Sequence, residues 1–169
     1  AGNTVISSGL SLGAGGLTKD GSGSLTLSAA NTYSGATSVT NGALVVAHSS
    51  ALGSTSSLSI GANAALQVQG SITVAGINVT APALRNLSGA NSWTGSITAQ
   101  SGGALTLQSD AGSLTVSNVN AQSADNVSQS LALTGTSNGT ITGSVTGASG
   151  LTKTGSGKWT LSGTNTYST

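Results

Sequence analysis

The chain of 169 residues contains no cysteine, no methionine, no phenylalanine and no glutamate, and it has one proline and one histidine. Each absence removes a class of molecule. Without cysteine no disulfide can brace the fold, and a chain free of disulfides suits passage across a membrane in the unfolded state. One histidine and no cysteine leave too few ligands for a zinc site. Charged residues make up 4% of the chain, with Lys19, Arg85, Lys153 and Lys158 set against Asp20, Asp110 and Asp125. Four scattered cations cannot neutralise a run of phosphates, so nucleic acid is not an expected partner, and neither is an anionic membrane surface. The longest apolar run, Ala43 to Ala47, falls far short of the roughly 20 residues a membrane-spanning helix needs. No basic start with an apolar core opens the chain, and its pattern begins and ends in mid-motif. It reads as a fragment of a longer protein, with any signal segment upstream.

What is present is serine, threonine and glycine, about half of all residues, with Leu, Ile and Val supplying 35 more. Helix formers are scarce, and the Val, Ile and Thr content favours strands. Short apolar–x–apolar patches recur at Leu10/Leu12, Leu25/Leu27, Leu44/Val46, Leu66/Val68, Leu105/Leu107, Leu131/Leu133 and Trp159/Leu161. That is the period-two signal of strands with one face buried. With Leu27, Val46, Val68, Leu87, Leu107, Leu133 and Leu161 as markers, the gaps are 19, 22, 19, 20, 26 and 28 residues. Self-similarity at such a period marks a repeat architecture, in which turns such as Asn41-Gly42 bend one face into the next instead of closing a hairpin. The expected fold is all-β: a β-solenoid over residues 1–169, of seven or eight rungs of roughly 22 residues, stacked at about 4.8 Å into a rod of about 35–40 Å. Such a narrow coil needs no aromatic centre, and only Tyr33, Trp93, Trp159 and Tyr167 are available for one. Leu25, Leu27, Leu44, Val46, Leu105, Leu107 and Leu161 are expected to point inward in stacked columns. Pro82 marks a loop or corner, and residues 108–130 a protruding loop.

Few residues carry chemistry. Asn31-Thr-Tyr33, Asn91-Ser-Trp93 and Asn165-Thr-Tyr167 read as equivalent rung corners, with Asn in a left-handed backbone and the ring packed over it, in preference to a row of sugar-binding aromatics. His48 reads as a turn residue, and no nucleophile-elbow pattern accompanies it. Three scattered aspartates make a polysaccharide-acting β-helical enzyme improbable, although a carbohydrate-acting or carbohydrate-binding solenoid stands as the alternative. The Gly-rich stretches complete no phosphate-binding fingerprint. No catalytic residue, metal or cofactor is assigned. An ice-binding solenoid would need regular Thr-x-Thr columns, and no such register is visible along the chain.

The chain also repeats itself. Residues 16–35, GLTKDGSGSLTLSAANTYSG, match residues 150–169, GLTKTGSGKWTLSGTNTYST, at 14 of 20 positions. The segment 16–54 closely resembles the passenger-associated strand repeat of bacterial autotransporters. Leu17, Lys19, Gly21, Gly23, Leu25, Leu27, Asn31, Tyr33, Gly42, Leu44, Leu52 and Gly53 carry the resemblance. A degenerate copy spans 84–107 with Leu87, Asn91, Trp93 and Leu105, and a truncated one spans 150–169 with Leu151, Lys153, Trp159, Leu161, Asn165 and Tyr167. The resemblance implies a right-handed parallel β-helix, secreted and exported through the outer membrane to the cell surface by a C-terminal barrel that this chain does not contain. It implies a stalk or adhesin body that aids its own translocation by stepwise folding. The implied partners are that barrel, host or neighbouring-cell surface molecules, or other copies of the protein. Uncapped rungs and sparse charge add an expectation of end-to-end or lateral self-association at high concentration.

Overall fold

The alternating patches become strands because each puts two or three apolar side chains on one side and Ser, Thr or Gln on the other, and glycine or asparagine then breaks the run. The structure, a computed structural model, describes residues 2–167. The strands fall into successive turns. The first turn holds β1 (Thr4–Ile6) and β2 (Leu17–Lys19). The second holds β3 (Ser24–Leu27) and the start of β4 (Thr37–Val46), and the third holds the end of β4 and the start of β5 (Leu58–Gln69). The fourth holds the end of β5, β6 (Thr73–Val74) and β7 (Val79–Ala81). Then come β8 (Ala83–Ser88), β9 (Ala90–Trp93) and β10 (Ile97–Ala99), and β11 (Leu105–Ser109), β12 (Ser113–Val116) and β13 (Val119–Asn120). The last two turns are β14 (Ser130–Thr134), β15 (Asn138–Ile141) and β16 (Val145–Ala148), followed by β17 (Gly150–Lys153), β18 (Trp159–Leu161) and β19 (Thr166–Tyr167).

Every pairing between these strands is parallel, and each strand pairs with its counterpart one turn away. The result is a parallel β-solenoid of about eight turns, with about 21 residues per turn and no helix among the described residues. It has three faces. The first carries β1, β3, the end of β4, the end of β5, β8, β11, β14 and β17. The second carries β6, β9, β12, β15 and β18. The third carries β2, the start of β4, the start of β5, β7, β10, β13, β16 and β19.

Inward residues stack in columns. Leu25, Leu44, Leu66, Leu84, Leu107 and Leu133 stand in register up the first face. Val74, Trp93, Val116, Ile141 and Leu161 do so on the second face, and Leu58, Val79, Ile97, Val119 and Val145 on the third. Leu25, Leu27, Leu44, Val46, Leu105 and Leu107 are buried as expected, and Leu161 packs against the core half-buried in the last turn. Each fully buried side chain of this kind contributes about 1.5–3 kcal/mol, so the core draws its strength from many small members.

Corners absorb the uneven spacing. Asn41-Gly42 bends β4 without ending it, with Gly42 at φ 74°, and Pro82 sits at the bend between β7 and β8. The protruding loop is shorter than the polar composition of 108–130 suggests. Residues 113–116 and 119–120 are regular strands, and only 121–129 departs from the coil, closed by an antiparallel bridge between Gln122 and Ser128. Leu87 departs from its expected place as a column marker. The register slips between Val68 and Gln69, so that Val68 pairs with Asn86 and Gln69 with Ser88. Asn86 is fully buried and Leu87 is half-buried. Leu161 likewise belongs to the second face, and the partner of Leu133 on the first is Lys153.

Candidate functional site at the lysine corners

The residues singled out by the repeat gather at the corners of the coil. The Lys19 side chain is 8% exposed, and its ammonium donates to the backbone carbonyls of Asp20 at 2.9 Å, Gly21 at 2.6 Å and Asn41 at 3.1 Å. Two of these carbonyls lie on its own corner, and the third lies one turn on. The cation replaces the ladder hydrogen bonds that a corner cannot make. Asp20 completes the corner from outside, where its Oδ1 accepts from the Thr40 hydroxyl and the Asn41 side-chain amide, both at 2.8 Å. Hydrogen bonds from the Asn41 amide, the Gly21 N–H and the Thr40 hydroxyl, in that order of weight, lower its pKa from 3.8 to about 2. Gly42 closes the corner. A Cβ there would collide with the carbonyl oxygens of Gly21 and Gly23 and crowd the Lys19 ammonium.

The second copy builds the same corner in a different place. Lys153 Nζ donates to Thr154 O at 2.8 Å and Gly155 O at 2.7 Å, and Gly155 has φ 70° where Gly21 has 78°. Yet β2 lies on the third face and β17 on the first. The motif therefore specifies a corner and not a face of the coil. Lys153 is exposed and donates to the two carbonyls of its own corner.

The asparagines act as steps between turns. Asn31 Oδ1 accepts from Leu10 N at 2.7 Å, and its amide donates to Ala51 O, so a single side chain spans three turns. Asn91 Oδ1 accepts from Ile72 N at 2.8 Å, while its amide reaches Asn86 Oδ1 and Ser88 O. Neither residue has a positive φ; among the described non-glycine residues that conformation belongs to Ser71 and Asn126. The expectation of a left-handed asparagine is thus replaced by a hydrogen-bonding one. Tyr33 and Trp93 are buried inside the coil, with Tyr33 Oη bonded to Thr37 Oγ1 at 3.0 Å and Trp93 Nε1 donating to Ile77 O at 2.8 Å. Ala51 and Leu52 lie buried in the turn beside Tyr33, where Gly53, at φ 56°, brings its backbone against the Tyr33 carbonyl. Asn165 makes the same backward step, its Oδ1 accepting from Val145 N one turn earlier, while Tyr167 is 43% exposed. Trp159 stands on the second face with its ring over Gly139 and its Nε1 donating to Thr134 O.

Sequence reading missed Asn86. It is wholly buried, and its amide donates to Gly89 O, Ala111 O and Ser113 O while its Oδ1 accepts from Asn91. The only available signal was an asparagine at an apolar position of the period-two pattern. Every buried side-chain nitrogen or oxygen among the described residues has a partner.

The remaining polar residues are dispersed. His48 Nδ1 accepts from the Ser50 N–H in a turn. Asp110 pairs with Arg85 and accepts from Gln108, and Asp125 accepts from the Ser123 hydroxyl. No group of three or more His, Cys, Asp or Glu side chains that could hold a metal is present among the described residues. A shallow groove of about 290 Å³ runs along the edge of the third face, lined by neutral residues that include Ser57, Ile77, Asn78, Thr80 and Thr98.

Comparison with known proteins agrees with this geometry. No curated protein and no solved structure matches the chain. The family model of the passenger-associated-transport-repeat matches residues 17–46, 86–107 and 151–168. Its first segment runs from the Lys19 corner through Tyr33 to the end of β4. Its second runs from Asn86 through Trp93 to Leu107, and its third covers the Lys153 corner through Tyr167. The chain thus carries passenger-associated-transport-repeats built into a parallel β-solenoid, an arrangement that fits an autotransporter passenger.

Proposed function

We propose that the chain is a rigid shaft segment of an autotransporter passenger, displayed at the bacterial surface after export through the outer membrane. The observation that supports this most directly is the unbroken inter-turn ladder from β1 to β19, which carries the same local corner at both of its ends. In such a coil stability adds from neighbour to neighbour. A turn that has emerged can therefore fold on the one before it, and each step opposes backward movement through the pore. Adhesion or self-association is the second part of the proposal. The faces are long, polar and almost uncharged, so little repels a neighbouring cell or a second copy.

The test is display of the chain between a signal segment and an autotransporter barrel. Wild type is expected to become accessible to external protease in intact cells, and Leu44→Asp to remain inside. Equal surface accessibility of the two would overturn the folding-coupled export. Sedimentation of the displaying cells reports the second part, which fails if cells carrying the shaft settle no faster than cells carrying the barrel alone.

A further inference from the structure

The outward side of the second face has a regularity the linear sequence hides. Register places Ser92, Thr115, Thr140 and Thr160 in one column, preceded by Thr73. Two residues along each strand, Thr94, Ser117, Thr142 and Ser162 continue the same ladder, with their N–H groups donating to Val74, Trp93, Val116 and Ile141. Four successive turns thus present Ser-x-Thr, Thr-x-Ser, Thr-x-Thr and Thr-x-Ser. All eight side chains are exposed or half-buried. None of the four hydroxyls in the first column is engaged by another group among the described residues.

This is also the most regular sheet of the molecule. None of its four pairings shifts register, whereas the larger sheet slips at Val39/Asn41, Val68/Gln69 and Thr146/Ala148. No strand in it carries a charge. In the second column Thr94 Oγ1 accepts from the Gly76 N–H and Thr142 Oγ1 donates to the Val116 carbonyl, and the two columns together form a net spaced about 4.8 Å between turns and about 6.6 Å along the strand.

We propose that this face binds ice. The two spacings lie close to those of the oxygen rows on an exposed plane of hexagonal ice. Hydroxyls on a fixed net hold waters at lattice positions, and threonine methyls fill the gaps between them. A charged surface would instead hold a mobile hydration shell. A second copy is the poorer occupant, because two such faces would bury hydroxyls against hydroxyls with incomplete pairing, and each unpaired group is costly. A sugar site would want a concave pocket with aromatic walls, and here Tyr33 and Trp93 lie inside the coil. The proposal does not depend on the shaft reading.

The experiment is inhibition of ice recrystallisation, with crystal shaping viewed by microscopy, and circular dichroism to show that each variant is folded. The chain is compared with the double variant Thr115→Lys/Thr140→Lys on the second face and with Thr80→Lys/Thr98→Lys on the third. A further double variant, Ser117→Tyr/Thr142→Tyr, raises rings off the same plane should the lysines prevent folding. The expected result is faceted crystals with wild type and the third-face variant. The second-face variants should need roughly tenfold more protein for equal inhibition, as expected when two or more contacts are lost. Wild type acting no differently from an inert globular protein would overturn the proposal, as would equal loss from the third-face variant. Lowered light scattering of the second-face variants, with no effect of any form on ice, would also overturn it and identify the face as a contact between copies.

Discussion

At the scale of single residues the repeat is a recipe for turning a corner. Lys19 donates to three carbonyls at the corner, and Gly42 supplies both the backbone angle and the empty space beside them. Lys19→Met should cost about 1.5–3 kcal/mol, because it removes three charge-assisted hydrogen bonds made by a nearly buried ammonium. Lys153→Met, at an exposed corner, should cost under about 1 kcal/mol. Gly42→Ala should cost about 2–3 kcal/mol from strain and collision, while Gly103→Ala, which has open space and an ordinary φ, should stay within about 0.5 kcal/mol. Denaturant melts of the four variants check both contrasts. Asp20 adds a pH signature. Its folded carboxyl is held near a pKa of about 2 by Asn41, Gly21 and Thr40, below its ordinary 3.8. A depressed carboxyl stabilises the fold above its unfolded pKa and loses that contribution as the pH falls. The stability gap between wild type and Asp20→Asn is therefore expected to be open at neutral pH and to close as the pH falls through 3.8 toward 2. A gap of constant size down to the lower value would show that the corner does not hold the carboxylate.

At the scale of strands the stabilising unit is the column. Leu44 lies between Leu25 and Leu66 and is inaccessible to solvent, so Leu44→Asp should cost about 4 kcal/mol or more and loosen the turns on either side. A circular-dichroism melt unmoved by that change would sink the column. Asn86→Leu looks conservative beside Leu84, yet it would take the Asn86 amide away from the carbonyls of Gly89, Ala111 and Ser113 and remove one acceptor from the Asn91 amide. It should cost about 2–3 kcal/mol, read by the same melt. These elements also show what the sequence could disclose. The inward pairs were legible because a two-residue period survives local slips, and the corners were legible because the motif is spoken twice. Leu87 and Leu161 were misplaced because one bulge and one change of face move a residue off its column without altering the pattern around it. The asparagine steps were hidden because their partners lie about 20 residues away, where only the register shows them. The second-face hydroxyl columns were hidden for the same reason, since turn lengths differ and the Thr-x-Thr pattern aligns only once the chain is coiled.

At the scale of the whole molecule, the claim is that sequence distance converts into height by counting turns. Thr26, Val45, Gln67, Arg85, Gln108 and Thr134 face outward in one column of the first face, each in register with the next. The chain has no native cysteine, so single cysteines can be introduced there for spin labels without interference. Distances by pulsed electron resonance between labels at Gln67→Cys and Thr134→Cys, Thr26→Cys and Gln108→Cys, and Thr26→Cys and Thr134→Cys then measure three, four and five steps. The account predicts narrow distributions for backbone separations near about 14, 19 and 24 Å, increasing by about 4.8 Å per turn whatever the number of residues between the labels. Broad distributions, or separations that follow residue count instead of turn count, would contradict it.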